Sequence, residues 1–156
     1  MDGNLLNWVP ALLDNELLIG VVFFAATTLI IALWVPGVML PIAASLGALL
    51  DAWVAGAVVT FAAVLGSMII FVTTRHFAGD HIPPKIASFF ERFEARFKSR
   101  GAWLVFGLRL AGAPHPLVSS GSAIARIHPA SFALATLFGL LPSIALAAIA
   151  GEAIGA

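Results

Sequence analysis

Apolar positions run almost without interruption through four stretches of the chain, and proline, glycine and one block of charge separate them. From Leu17 to Leu50 no residue is charged, a run longer than the about 30 Å of a bilayer's hydrocarbon core requires of a helix. Pro36-Gly37 and Pro41 break it, since proline lacks an N–H and its ring clashes with the preceding turn. The pattern predicts one span over 17–34 and a short dipping segment over about 35–50. Residues 52–74 form a second uncharged run long enough to cross. A third apolar region, 102–125, contains Arg109 and is divided by Pro114-His115-Pro116 into pieces too short to span. The last, 130–151, is long enough to cross and carries Pro142.

Residues 75–100 differ in kind. After Pro83-Pro84, apolar Ile86, Phe89, Phe90, Phe93 and Phe97 recur at three- and four-residue steps with charges between them. That spacing predicts an amphipathic surface helix over 84–100, lying in the headgroup layer and able to meet anionic headgroups, or else binding a partner. The segment 1–16, with Asp2, Asp14 and Glu16, is mildly amphipathic and is expected to rest on the membrane surface.

Composition turns these stretches into a class of protein. Of 156 residues 61% are hydrophobic and 10% charged, and the mean hydropathy is +1.04. Soluble domains carry about 25% charged residues, and a chain this short has too much surface to hide so many apolar groups. The expected fold is therefore all-α and integral to a membrane: a single membrane domain over 17–156 after the interfacial segment. A formal net charge of +0 gives no reason to expect nucleic acid as a partner. The absence of cysteine removes disulfides, thiolate metal sites and cysteine nucleophiles. A cleaved signal peptide is not expected, because the first basic residue is Arg75. No Gly-rich phosphate loop, His-Glu metalloprotease helix or nucleophile elbow is present, so neither catalysis nor a cofactor is expected. His76, Asp80 and His81 resemble a metal cluster only superficially, and no metal is expected.

Charge also orients the chain. Six of the eight Lys and Arg lie in 75–100 and Arg126 precedes the last span, which places these segments in the cytoplasm. The scheme that follows has three full spans and two re-entrant dips from opposite faces, 35–50 and 102–125, with the N-terminus also cytoplasmic. Opposed dips suggest an inverted repeat. Pro41, Gly47 and Asp51 precede one long apolar run as Pro116, Gly121 and Arg126 precede another. Short Gly/Pro-interrupted apolar segments in corresponding halves point to a transport site.

Non-helical backbone at membrane depth is tolerated where it is buried or lines a wet cavity, so the two breaks are expected to meet around a pocket. The helix beginning at Pro116 would direct its free N–H groups and positive dipole end there, a setting for an anion to which Ser119, Ser120 and Gly121 belong. Arg109 cannot shed its charge, and a charge at the bilayer centre costs at least about 2.5–3.5 kcal/mol; its planar fork suits phosphate or carboxylate. The competing reading has Arg109 capping carbonyls or reaching back to the cytoplasmic face. His115 is a proton relay or donor, or a packed neutral histidine. Asp51 and Arg126 read as interfacial anchors before gates, and Arg75 as an anchor or a site residue.

Several segments together resemble the DedA/VTT (SNARE-associated Golgi protein) superfamily, particularly its Tvp-type branch. They are VPGVMLPIAASLGALLDAW, the Gly66-Ser67 pair, TTRHFAGD, KSRGAW, GLRLAGAPHPLVSSG and SFALATLFGLLPSIALAAIAG, covering roughly residues 34–151. The resemblance implies a multi-pass protein with two opposed re-entrant segments that moves lipids across a bilayer, in a bacterium the cytoplasmic (inner) membrane. It matches Arg109 to the arginine of the second re-entrant motif and Arg75 to the one closing the preceding span. Pro36, Gly37, Pro114, Pro116 and Gly121 match motif breakers. Leu33-Trp34-Val35 stands where many members carry an acid, and the second arginine of that motif is missing. Three functions follow: translocation of a phosphate-bearing lipid, pH- or potential-coupled transport of a small anion or ion, and a non-transporting membrane scaffold. Membrane lipids are the expected partners, with a homo-oligomer as a further possibility.

Overall fold

The computed structural model describes residues 15–33, 35, 37–77 and 100–156. Pro36, the surface helix expected over 84–100 except its last residue, and nearly all of the interfacial segment 1–16 lie outside these residues. The described chain forms six helices: α1 (Glu16–Ala32), α2 (Met39–Gly47), α3 (Ala52–Phe77), α4 (100–110), α5 (His115–Ile124) and α6 (Pro129–Gly155).

Local chemistry sets the ends. The Asn15 side chain accepts from the Leu18 N–H at 3.2 Å, and Glu16 meets the positive end of α1. The breaks after α1 and α4 each contain a glycine in the left-handed region, Gly37 at φ +80° and Gly112 at φ +75°, where a side chain would be strained. Proline then restarts the chain where its missing N–H costs no helical bond: Pro41 in the first turn of α2, Pro116 in that of α5 and Pro129 at the head of α6.

Contact pairs give the direction of each helix. Gly20 faces Val58, the Thr28 hydroxyl donates to the Ala62 carbonyl, and Gly66 lies against Ile31. Both numbers rise together, so α1 and α3 run parallel. By the same test α4 runs parallel to α6, with Trp103 level with Leu134 and Arg109 with Gly139. Ser67 meets His115 and Thr74 meets Ser120, which makes α3 and α5 parallel. Gly56 meets Ala145 whereas Phe71 stacks on Phe132, which makes α3 and α6 antiparallel. Each half is thus a helical hairpin followed by a long helix, and the halves run in opposite senses. Each short helix packs on the long helix of the other half, α2 on α6 and α5 on α3. The spacing agrees: 75 residues separate Gly37 from Gly112, Pro41 from Pro116 and Asp51 from Arg126.

Among the described residues two helices are long and apolar enough to cross a membrane, α3 and α6. At 26 and 27 residues they extend about 39 and 40 Å. The segment expected as the first span differs. Its helix has 17 residues, about 25 Å, and runs parallel to α3. Two crossings separated by a dip would run antiparallel. It is instead the first arm of a hairpin completed by α2, whose tip lies beside the middle of α3. Sequence length alone hid this, because hairpin arm and span are equally apolar.

Close crossings hold the halves together. A Cβ on Gly47 or Gly151 would collide with the carbonyl oxygens of Ala148 and Ala44, and one on Gly155 would lie 2.6 Å from that of Ala48. Backbone therefore meets backbone along α2 and α6, as small residues allow where no hydrophobic effect drives helices together. Gly107, by contrast, has open space around it. Gly151→Ala is expected to lower stability by about 1–3 kcal/mol through overpacking. Gly107→Ala should be neutral or stabilising by up to about 1 kcal/mol. Thermal unfolding of both variants in detergent checks the contrast.

Candidate functional site

Arg109, on the last turn of α4, is the largest fully buried side chain, 1% exposed. Its Cβ lies against Gly139 of α6, where an added methyl would come within 2.6 Å of it. The guanidinium donates from Nη2 to Ser119 Oγ at 2.9 Å and to Ser67 Oγ at 3.2 Å, and its carbon stands 5.8 Å over the Phe132 ring. Nε and Nη1 are buried without a partner. The described carboxylates are Glu16, Asp51 and Glu152, all at the far end of the bundle. Measured along α3, Asp51 is about 24 Å from the level of Ser67. A cation is thus held by hydroxyls and an aromatic face, with hydrogen-bonding capacity left over. Unpartnered buried charge is costly, and an anion would satisfy it.

The pairing around Ser67 fixes the next group. Ser67 Oγ accepts from Arg109 and lies 3.1 Å from His115 Nδ1. The Ser67 hydroxyl has one proton and two lone pairs, so it can donate to Nδ1 or accept from an Nδ1–H, and the imidazole tautomer sets which. Ser67, on α3, comes from one half of the repeat and Arg109, His115 and Ser119 from the other.

Both hairpin tips meet beside this cluster around a cavity of about 220 Å³. Gly37, Met39 and Leu40 line it from one tip, Arg109, Leu110 and Gly112 to His115 from the other, and Leu140 and Ser143 from α6. Its mouth lies on the side of the bundle, half-way along α3 and α6: Leu40 is 46% and Leu110 52% exposed, and Gly37, Gly112 and Pro114 are exposed with them.

Of the residues singled out by sequence, Arg109, His115 and Ser119 come together. Ser120 points elsewhere, 3.3 Å from Thr74 Oγ1, and Gly121 is buried, its carbonyl accepting from the Ala125 N–H in the closing turn of α5. Pro114 and Pro116 start α5 as breakers. Arg75 donates from Nη1 to the Ile127 carbonyl at 3.1 Å and covers Phe71, tying the end of α3 to the turn before α6. Asp51 and Arg126 are exposed in the turns at opposite ends of the bundle, Arg126 at φ 54°, and neither reaches the cavity. Ser67 was not singled out as a site residue. A lone hydroxyl in a long apolar run gives no signal until the phase of α3 against α5 is known.

Residues 35–153 match the VTT domain, a region that runs from the first hairpin tip almost to the end of α6. The chain belongs to the VTT-domain family. It is therefore a membrane protein of the superfamily that includes the DedA and SNARE-associated Golgi proteins. The match begins after α1, so the first arm of the first hairpin lies outside it. No curated protein and no solved structure matches the chain.

Removing the Ser67 hydroxyl takes one acceptor from Arg109 and the hydrogen-bond partner from His115 Nδ1. Ser67→Ala is expected to cost about 1.5–3 kcal/mol, the range for bonds to charged groups. Ser120→Ala loses a single neutral bond, about 0.5–1.5 kcal/mol. Denaturation midpoints of the two purified variants compare them.

Proposed function

We propose that this VTT-domain protein is a lipid translocase that takes a phosphate-bearing headgroup into the cavity between its hairpin tips. The observation that carries the reading is the buried Arg109, with Nε and Nη1 unpartnered and no carboxylate near it among the described residues. His115 adds its imidazole to the cavity wall. Guanidinium and phosphate pair through parallel N–H···O bonds.

The shape of the cavity favours a lipid over a free ion. At about 220 Å³ it is smaller than the about 300–1,000 Å³ of pockets that enclose a drug-sized ligand. A headgroup fits while chains stay outside, and the lateral mouth is where chains would be. A small-anion transporter needs an aqueous route along the axis. The α2–α6 backbone contact and the Phe71–Phe132 stack, with centroids 4.7 Å apart, fill the interior on either side.

In the membrane, α3 and α6 are the crossings and the hairpins 16–47 and 100–124 are re-entrant, entering from opposite faces and meeting at mid-depth. One end of the bundle carries Arg75, His76, Arg100, Arg126 and His128, the other Glu16, Asp51 and Glu152. The basic end is the cytoplasmic one. Glu16 then lies on the opposite face, with Asp51, which revises the cytoplasmic placement expected for the N-terminal side of the chain. In a bacterial cell the membrane is the inner one, and the C-terminal Phe, Ala-Thr, Gly and Leu-Pro pattern supports a Tvp-type assignment within the superfamily.

Two experiments test this. In proteoliposomes, Arg109→Ala is expected to abolish flipping of a fluorescent phosphate-bearing lipid, while unfolding shows the variant still folded; undiminished flipping would rule the role out. The chain has no cysteine of its own, so single replacements report sidedness. Arg126→Cys should react with an impermeant maleimide from the cytoplasmic face, and Asp51→Cys from the other. Labelling of both from one face would remove the opposed hairpins.

A further inference from the structure

An apolar groove of about 440 Å³ follows the seam between α4 and α6 on the outer surface of the bundle. Trp103 and Phe106 form one wall and Leu134 and Phe138 the other, with Ala135 as floor. It begins at the basic end, where Ser131 lines it and Arg100 lies two residues before its first lining residue on α4. The N-terminus of α6 opens at the same end with no side-chain cap. Leu110, one turn beyond Phe106 on the same face of α4, lines the Arg109 cavity, and on α6 Ser143 follows the groove's Ala135 through Gly139 at four-residue steps. Groove and cavity are thus successive stretches of one seam.

We propose that this groove is the docking site for a lipid of the cytoplasmic leaflet before transfer. It rests on the anion-cavity reading for what happens next, and not for its own occupancy. One acyl chain lies between the Trp103–Phe106 and Leu134–Phe138 walls. The phosphate stays at the interface beside Arg100 and the head of α6, and the chain's end points to the Leu110 mouth. An apolar trough suits a chain and not a headgroup, and its polar features sit only at the leaflet end. Trp103 has the position of an interfacial aromatic anchor, packed edge-on against Phe106 with centroids 6.0 Å apart.

The test uses the full chain in phosphatidylcholine nanodiscs and two photoactivatable probes, phosphatidic acid and diacylglycerol, each with a diazirine in mid-chain. Peptide mapping is expected to place the phosphatidic acid label on the four wall residues, about threefold over diacylglycerol, the size of an exposed ion-pair preference. Ser131→Phe should abolish that label, and Arg100→Gln should bring the two probes level. Arg109→Ala should leave the label intact while flipping is lost, so the groove and the cavity fail independently. Equal labelling by both probes in the wild-type protein would overturn the assignment. So would label spread over lipid-facing residues elsewhere, such as Trp53 and Phe61, or a cross-link between two copies through Trp103.

Discussion

A guanidinium that cannot deprotonate sits in the middle of an apolar bundle, and the other features of the site are arranged around that constraint. The desolvation of such a charge costs several kcal/mol unless partners replace water. Here the replacements are two serine hydroxyls and the face of Phe132, all neutral. A carboxylate would have stabilised the cation more strongly, and it would also have occupied the fork. Neutral partners hold the group in place and, among the described residues, leave its charge without an ion pair, the feature on which the proposed anion site rests.

Holding that charge in one orientation demands a rigid frame, and glycine supplies it. Gly139 lets α6 approach the stem of Arg109, and Gly66 lets α3 approach α1 at the matching place. The correspondence extends to the residues touched: Thr28 and Ile31 in one half, Phe106 and Arg109 in the other, three apart in both. Two hairpins entering from opposite ends can meet at their tips only if each lies against a long helix that continues past it. α3 and α6 do so, and each also carries the short helix of the other half. Irregular backbone at Gly37 and Gly112 thereby lines the rim of the cavity, a setting in which it is tolerated in a membrane.

Much of this was legible in the sequence, and what was not has a physical cause. Uncharged runs of more than 20 residues marked α3 and α6, and the proline and glycine breaks marked both tips. Arg109 stood out because charge in an apolar run is expensive wherever it points. The role of 17–34 was not legible, since a hairpin arm and a crossing helix are both uniformly apolar and both largely exposed to their surroundings, and only the direction of α1 against α3 separates them. Ser67 escaped notice and Ser120 was included for a single reason. Which hydroxyl faces the arginine depends on helix phase across the two halves, and no local pattern encodes that.

The two halves share their breaks, their glycine crossings and their directions, yet they differ in charge, and the difference follows from where the tips meet. Ile31 makes against Gly66 in the first half the contact that Arg109 makes against Gly139 in the second. A second arginine there would double the desolvation cost and bury two cations in one small bundle. At a separation of about 10 Å and an effective dielectric of about 20 their repulsion alone would be about 1.7 kcal/mol. Both costs favour a single cation, carried on one hairpin, where the two tips close on one central cavity. The turns, separated by the full length of the bundle, are free of that restriction, and there the counterparts Asp51 and Arg126 are opposite in sign. Symmetry in the backbone and asymmetry in charge serve one end: a site reachable at mid-depth, in a protein whose two faces the membrane distinguishes.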